Sequence, residues 1–142
     1  MVMLIFDNEH VTCELDDEVP VLRHKWKYNV PGEEFKINLL KILDHDRELA
    51  GSHDHLAWLA DTTLLGELDE NVENWLVSSW EDLIFREGGV KIHAVILGQS
   101  IYADYPMEKF KMDAEQRFHS QEVRLGVFSS LNDAYAWMKS AR

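Results

Sequence analysis

Cysteine is almost missing from this chain: Cys13 is its one thiol. A lone cysteine makes no intrachain disulfide and no thiolate metal cage, and its apolar surroundings in the sequence read as those of a buried, inert side chain. Basic residues are scarce as well. Fourteen Lys and Arg stand against 26 Asp and Glu, a net charge of -12. A surface of that sign repels nucleic-acid phosphates and anionic lipid heads, and no basic stripe interrupts it, so no nucleic-acid partner is expected. No stretch approaches the ~20 apolar residues that span a bilayer, so no membrane insertion is expected. Residues 1–6 are apolar but lack a basic lead and run into Asp7 and Glu9, which does not read as a signal peptide. A cytoplasmic, reducing setting fits these features. Only three prolines occur; each falls at an expected element boundary. With no repeat, low-complexity run or Pro/Gly/Ser linker, residues 1–142 read as one domain.

Chemical signatures are equally sparse. Neither GxxxxGK[ST] nor GxGxxG occurs, so nothing suggests a phosphate cradle built on either pattern. No GxSxG nucleophile elbow occurs either. The residues therefore name no catalytic group and no cofactor, and a non-enzymatic role is expected.

Periodicity supplies the fold. Residues 3–6 and 11–15 are short β-type runs separated by the turn chemistry of Asp7, Asn8, Glu9 and His10, an opening hairpin. Residues 21–28 alternate, with Val21, Arg23, Lys25 and Lys27 on the wetter face. After Pro31 and Gly32, a helix over 33–49 carries Phe35, Leu39, Ile42 and Leu43 at helical spacing. Residues 56–60 read as a buried strand. Asp69 caps a helix reaching about Glu87, with Val72, Trp75, Leu76, Ser79 and Leu83 on its buried stripe and Gly88-Gly89 as its stop. The near-continuous apolar run in 91–97 marks a central strand covered on both faces. Pro106 opens a third helix with Met107, Phe110, Ala114 and Phe118 on one face. A last strand covers 123–128. Ser130 then caps a final helix with Leu131, Ala134, Tyr135 and Met138 inward. The fold class is α/β: a mixed sheet, antiparallel at its N-terminal hairpin and otherwise largely parallel, packed with about four helices.

Three groups are candidate sites. Asp44, His45, Asp46, His53, Asp54 and His55 crowd twelve residues. His45, His53 and His55 are weak metal candidates, but a helix-to-strand loop is polar in any case, so no bound metal is expected. Of the five tryptophans, Trp75 lies on a core stripe, whereas Trp80 lies off it and is a candidate partner or pocket residue. Asp61, followed by Thr62 and Thr63, ends the 56–60 strand, where α/β sheets place their sites; a simple turn is the competing reading.

Several segments in order resemble the SpoIIAA-like family, single-domain bacterial proteins of STAS/SEC14 type. They are Leu4-Ile5-Phe6-Asp7-Asn8-Glu9-His10, Trp26, Glu34-Phe35, Trp58-Leu59-Ala60-Asp61-Thr62 and Trp75. Gly89-Val90-Lys91-Ile92-His93-Ala94-Val95-Ile96, then Phe128-Ser129-Ser130 with Ala134 and Trp137, complete the set. The resemblance implies a STAS-like sheet flanked by helices and a bacterial, cytoplasmic interaction module. In the sporulation members, an Asp ends a strand and Asp-Ser-Ser-Gly opens the next helix, where serine phosphorylation switches binding to a kinase. Here Asp61 looks like the first Asp and Asp69 lies at about the spacing of the second, but Glu70 and Asn71 stand where the serines would be. The hydroxyl is missing, so the phospho-switch does not carry over.

The leading expectation is a binding or regulatory module, engaging another protein or a second copy through Asp61, Thr62, Asp69, Glu70 and Trp80. The alternative is a carrier of a small apolar ligand, motivated by the tryptophans and by Met107, Phe110 and Met112. A metal-dependent hydrolase at residues 45–55 ranks third.

Overall fold

The computed structural model describes residues 1–53, 56–66, 68–97 and 107–141, the side chains of 107–110 excepted. Asp54, His55 and Pro106, and the side chains of Met107 and Phe110, lie outside the described residues. Among the described residues six strands form one sheet: β1 (Val2–Asp7), β2 (Val11–Asp16), β3 (Val21–Trp26), β4 (Ala57–Thr62), β5 (Ile92–Leu97) and β6 (Arg124–Phe128). They lie side by side in chain order. The pairs β1–β2 and β2–β3 are antiparallel, and the three remaining pairs are parallel. The opening is therefore a three-stranded meander rather than a single hairpin. A bulge between Leu4 and Phe6 sits in its edge strand, a device that bends an exposed edge.

Four helices pack on this sheet: α1 (Gly32–Leu49), α2 (residues 70–87), α3 (Met107–Arg117) and α4 (Leu131–Ala141). Parallel strands laid in chain order are joined by right-handed crossovers that all pass over the same face. Accordingly α1, α2 and α3 share one core with Val11, Leu22, Trp26, Trp58, Val95 and Leu125. Among the described helices α4 is the one that covers the other face, through Val21, Ala57, Leu59, Ala94, Ile96, Ala134 and Met138. Strands β4 and β5 are buried on both faces, as their continuous apolar runs require.

The sequence-predicted stripe of α1 is buried as expected, from Phe35 to Leu43. That of α2 is not. This helix starts as α over Glu70–Trp75 and continues as two π-helical stretches, Leu76–Trp80 and Asp82–Glu87. Its wider hydrogen bonds include Glu81 N–H to the Leu76 carbonyl and Gly88 N–H to the Leu83 carbonyl, each five residues apart. A wider turn delays the inward face. Ser79, placed on the stripe by α-helical spacing, is exposed; Trp80, placed off it, is 6 % exposed and joins the core with Ile84 and Phe85.

Smaller differences follow from local contacts. Strand β4 runs two residues further than the apolar run, because Asp61 and Thr62 continue its ladder opposite Ile96 and Leu97. Leu131 is exposed, since Ser130 caps α4 at the Asp133 N–H and leaves the first turn outside the core.

Candidate functional site

The carboxyl ends of β3 and β4 and the starts of α1 and α2 form one rim. Residue 32 can only be small: a Cβ there would lie 2.8 Å from Val72 Cγ2 and 3.2 Å from Asp69 Oδ2, so the two helix starts abut at Gly32. Asp69 is the N-cap of α2, its Oδ1 accepting from the Val72 N–H at 2.9 Å. Glu70 follows, fully at the surface, and Glu33 projects from the first turn of α1. Carboxylates at helix starts complement the helix dipole, which accounts for their placement without a ligand. Tyr28, on the loop leading into α1, is 67 % exposed. Sequence patterning places it at the end of a strand; β3 ends at Trp26 instead, and the left-handed Asn29 (φ 56°) turns the chain after Tyr28.

Asp61 and Thr62 belong to the end of β4 itself. Asp61 Oδ1 accepts from the Thr63 N–H at 3.0 Å and from the Thr63 hydroxyl at 2.5 Å, an Asx turn that ends the strand. Thr62 is buried and its hydroxyl donates to the Ile96 carbonyl at 2.6 Å, tying β4 to β5. Alternation along β4 sends Asp61 to the face of Ala57 and Leu59, whereas Trp80 packs on Trp58 on the opposite face. Asp61 and Trp80 thus do not share a cavity. Trp80 lies between Trp58 (5.9 Å) and Trp75 (5.7 Å) and fills the core rather than lining a pocket.

The histidines in the 44–55 segment are dispersed. His45 stacks on Phe6 at 5.3 Å and lies 3.7 Å from Glu48 on its own helix. His53 faces Asp17 at 3.6 Å. Among the described residues no three His, Cys, Asp or Glu side chains converge on a point where a metal would sit. Asp46, beside them in sequence, is buried and accepts the Trp58 indole N–H at 2.9 Å. Burial raises its carboxyl above the ordinary range, an effect that bond partly offsets.

The most perturbed histidines are two that composition did not single out. His24 and His93 lie on either side of Trp58 beneath α2, with ring centroids 5.5 and 6.1 Å from the indole. His24 Nδ1 accepts the Trp26 indole N–H at 2.8 Å, which leaves its proton on Nε2. That Nε2, and Nδ1 of His93, have no partner among the described residues. Burial pushes His24 down to about 3, helped by His93, and pushes His93 down to about 4. Both rings are neutral near pH 7 and serve as polar members of an aromatic core. The alternation of Leu22, His24 and Trp26, and the position of His93 inside an apolar run, were the available signals. Burial likewise pushes the Cys13 thiol up to about 12, which makes it a poor nucleophile.

Among the described residues, the topology offers no switch point at this rim. In open α/β sheets a crevice opens where successive crossovers diverge to opposite faces. Here the crossovers over α1, α2 and α3 stay on one face, and the helix starts close up at Gly32. No described helix is long and apolar enough to cross a membrane. Compared with known proteins, the chain matches no family model and no curated protein.

Proposed function

We propose that this chain is a non-catalytic binding module of the SpoIIAA-like kind, working in a reducing cytoplasm, that docks a basic protein surface on the rim where α1 and α2 begin. The observation that carries the reading is Tyr28, an aromatic side chain 67 % exposed beside abutting helix starts that present Glu33 and Glu70. An exposed tyrosine in a charged surround is the composition of an interface anchor with a polar rim. The net charge of -12 steers a basic partner toward the chain. Glu70 stands where the resembling family has its modified serine, so a fixed negative charge takes the place of a switchable one.

The tryptophans that motivate an apolar-ligand carrier are engaged with one another and with the core. Trp26 lies on Phe35, Trp58 on Trp80, and Trp137 on Phe128. The docking reading is therefore preferred.

Affinity capture from the host, comparing the unaltered chain with Tyr28→Ala and with the double variant Glu33→Lys/Glu70→Lys, tests it. A retained protein that is lost in both variants, while their melting temperatures hold, is the expected outcome. Retention indifferent to both variants, or no retained protein, would falsify the reading.

A further inference from the structure

A second feature lies at the other end of the sheet, away from the proposed docking rim. Where β4 and β5 begin and α1 and α2 end, a cavity of about 340 Å³ is lined by Asp46, His53, Leu56, Gly88, Gly89 and Lys91 among others. That volume is at the small end of what ligand cavities hold.

Its polar groups are unequal in depth. Asp46 is 5 % exposed, and the Trp58 indole occupies one of its oxygens. No other donor among the described residues bonds its side chain, and Arg47, the next residue, is directed to Asp44 at 4.0 Å. A buried carboxylate held by a single neutral N–H is under-compensated, and burial already raises its carboxyl above the ordinary range. It lacks a cation. Lys91, by contrast, is exposed at the mouth, with Glu122 as a loose partner at 3.9 Å. His53 is held by Asp17 at 3.6 Å and by the Ser52 hydroxyl at 3.0 Å, so it does not compensate Asp46. The cavity thus presents an anion at depth and a cation at its entrance. A simple amine would meet Lys91 unfavourably, and a simple anion would meet Asp46 unfavourably. A molecule with separated opposite charges satisfies both.

We propose that this cavity binds a small ω-amino acid zwitterion, its ammonium group against Asp46 and its carboxylate against Lys91. Gly88 in the lining packs closely on the end of α2 and on α1, since a Cβ there would stand 2.8 Å from the Ile84 carbonyl oxygen and 3.0 Å from Leu43.

The test is a titration of the full chain with 5-aminopentanoate, followed by calorimetry and by the Trp58 indole N–H resonance, with pentylamine and pentanoate in parallel. The zwitterion is expected to shift that resonance saturably and to bind roughly tenfold or more tightly than either half-charged analogue. Asp46→Asn and Lys91→Met should each weaken it by about tenfold or more. The Asp46→Asn side chain keeps an oxygen for the Trp58 indole. Should that variant still fail to fold, Lys91→Met, at an exposed position, decides alone. The proposal is overturned by no saturable binding up to about 10 mM. It is equally overturned if pentylamine binds as tightly as the zwitterion, or if affinity is unchanged in Lys91→Met. None of these outcomes bears on docking at the Tyr28 rim.

Discussion

At the scale of single residues, the most consequential groups are buried bases and acids whose protonation differs between folded and unfolded chains. His24 and His93 titrate near 6.5 when unfolded, but at about 3 and about 4 in the fold. Between pH 6.5 and 4 the unfolded chain therefore binds more protons at these sites, and stability falls as pH falls. Each histidine contributes about 1 kcal/mol of loss per pH unit in that window. Glu81 acts in the opposite sense. Burial, countered by Arg117 and assisted by Asp82 and Asp113, raises its carboxyl to about 7, so acidification from 7 to 4.5 favours the folded state. One carboxyl here opposes two histidines, so the decline on acidification prevails. Urea unfolding measured across pH should show stability declining from pH 6.5 to 4, with Glu81→Gln making the decline steeper and His93→Phe making it shallower. A flat profile in the unaltered chain would contradict the neutral-histidine core.

At the scale of elements, α2 is the one whose local rule differs from the reading of its sequence. Its buried apolar residues Val72, Trp80, Ile84 and Phe85 recur at a spacing nearer four than 3.6. The π turns absorb the difference. Deleting Ser79, which is exposed, moves Trp80, Ile84 and Phe85 one position toward Val72 and restores α-helical phase. The deletion should therefore cost less than about 2 kcal/mol. Deleting Lys41 from α1, where Leu39 and Ile42 are already in phase, should cost more than about 4 kcal/mol or prevent folding. Thermal melts of the two deletions decide, and equal losses would mean that the π turns follow from packing rather than from an extra residue. The same element shows what was legible. The cap at Asp69, the stop at Gly88-Gly89 and the length of α2 could all be read from residue types. Its buried face could not, because 3.6 periodicity was assumed where the helix is wider, and so Trp80 looked like a pocket residue.

At the scale of the whole molecule, β1 and β6 are the edge strands of the sheet. Val2, Met3 and Leu4 are all exposed on β1. An apolar edge strand that has no partner strand on its outer side among the described residues is a template for pairing with a second chain. Leu4→Lys places a charge there without touching the core and should change stability by less than about 0.5 kcal/mol. In sedimentation at rising concentration it should abolish any dimer that the unaltered chain forms through this edge; persistence of that dimer in the variant would assign it to another surface.

Alternation and helical spacing in the sequence determined the α/β class, the order of the elements and most of their ends. The reason is that turn residues, caps and apolar faces are local requirements met within a few residues. Asp69 as a cap and Asp61 as a turn were readable in the same way. Only the tertiary structure decided that three crossovers share one face, that Asp61 and Trp80 point to opposite sides of the sheet, and that His24, Trp58 and His93 meet. It also decided that Asp46 lines a cavity with Lys91, 45 positions along the chain. These facts depend on strand register and on the phase of a π-helical turn, which follow from how distant segments pack and leave no repeating mark in the sequence.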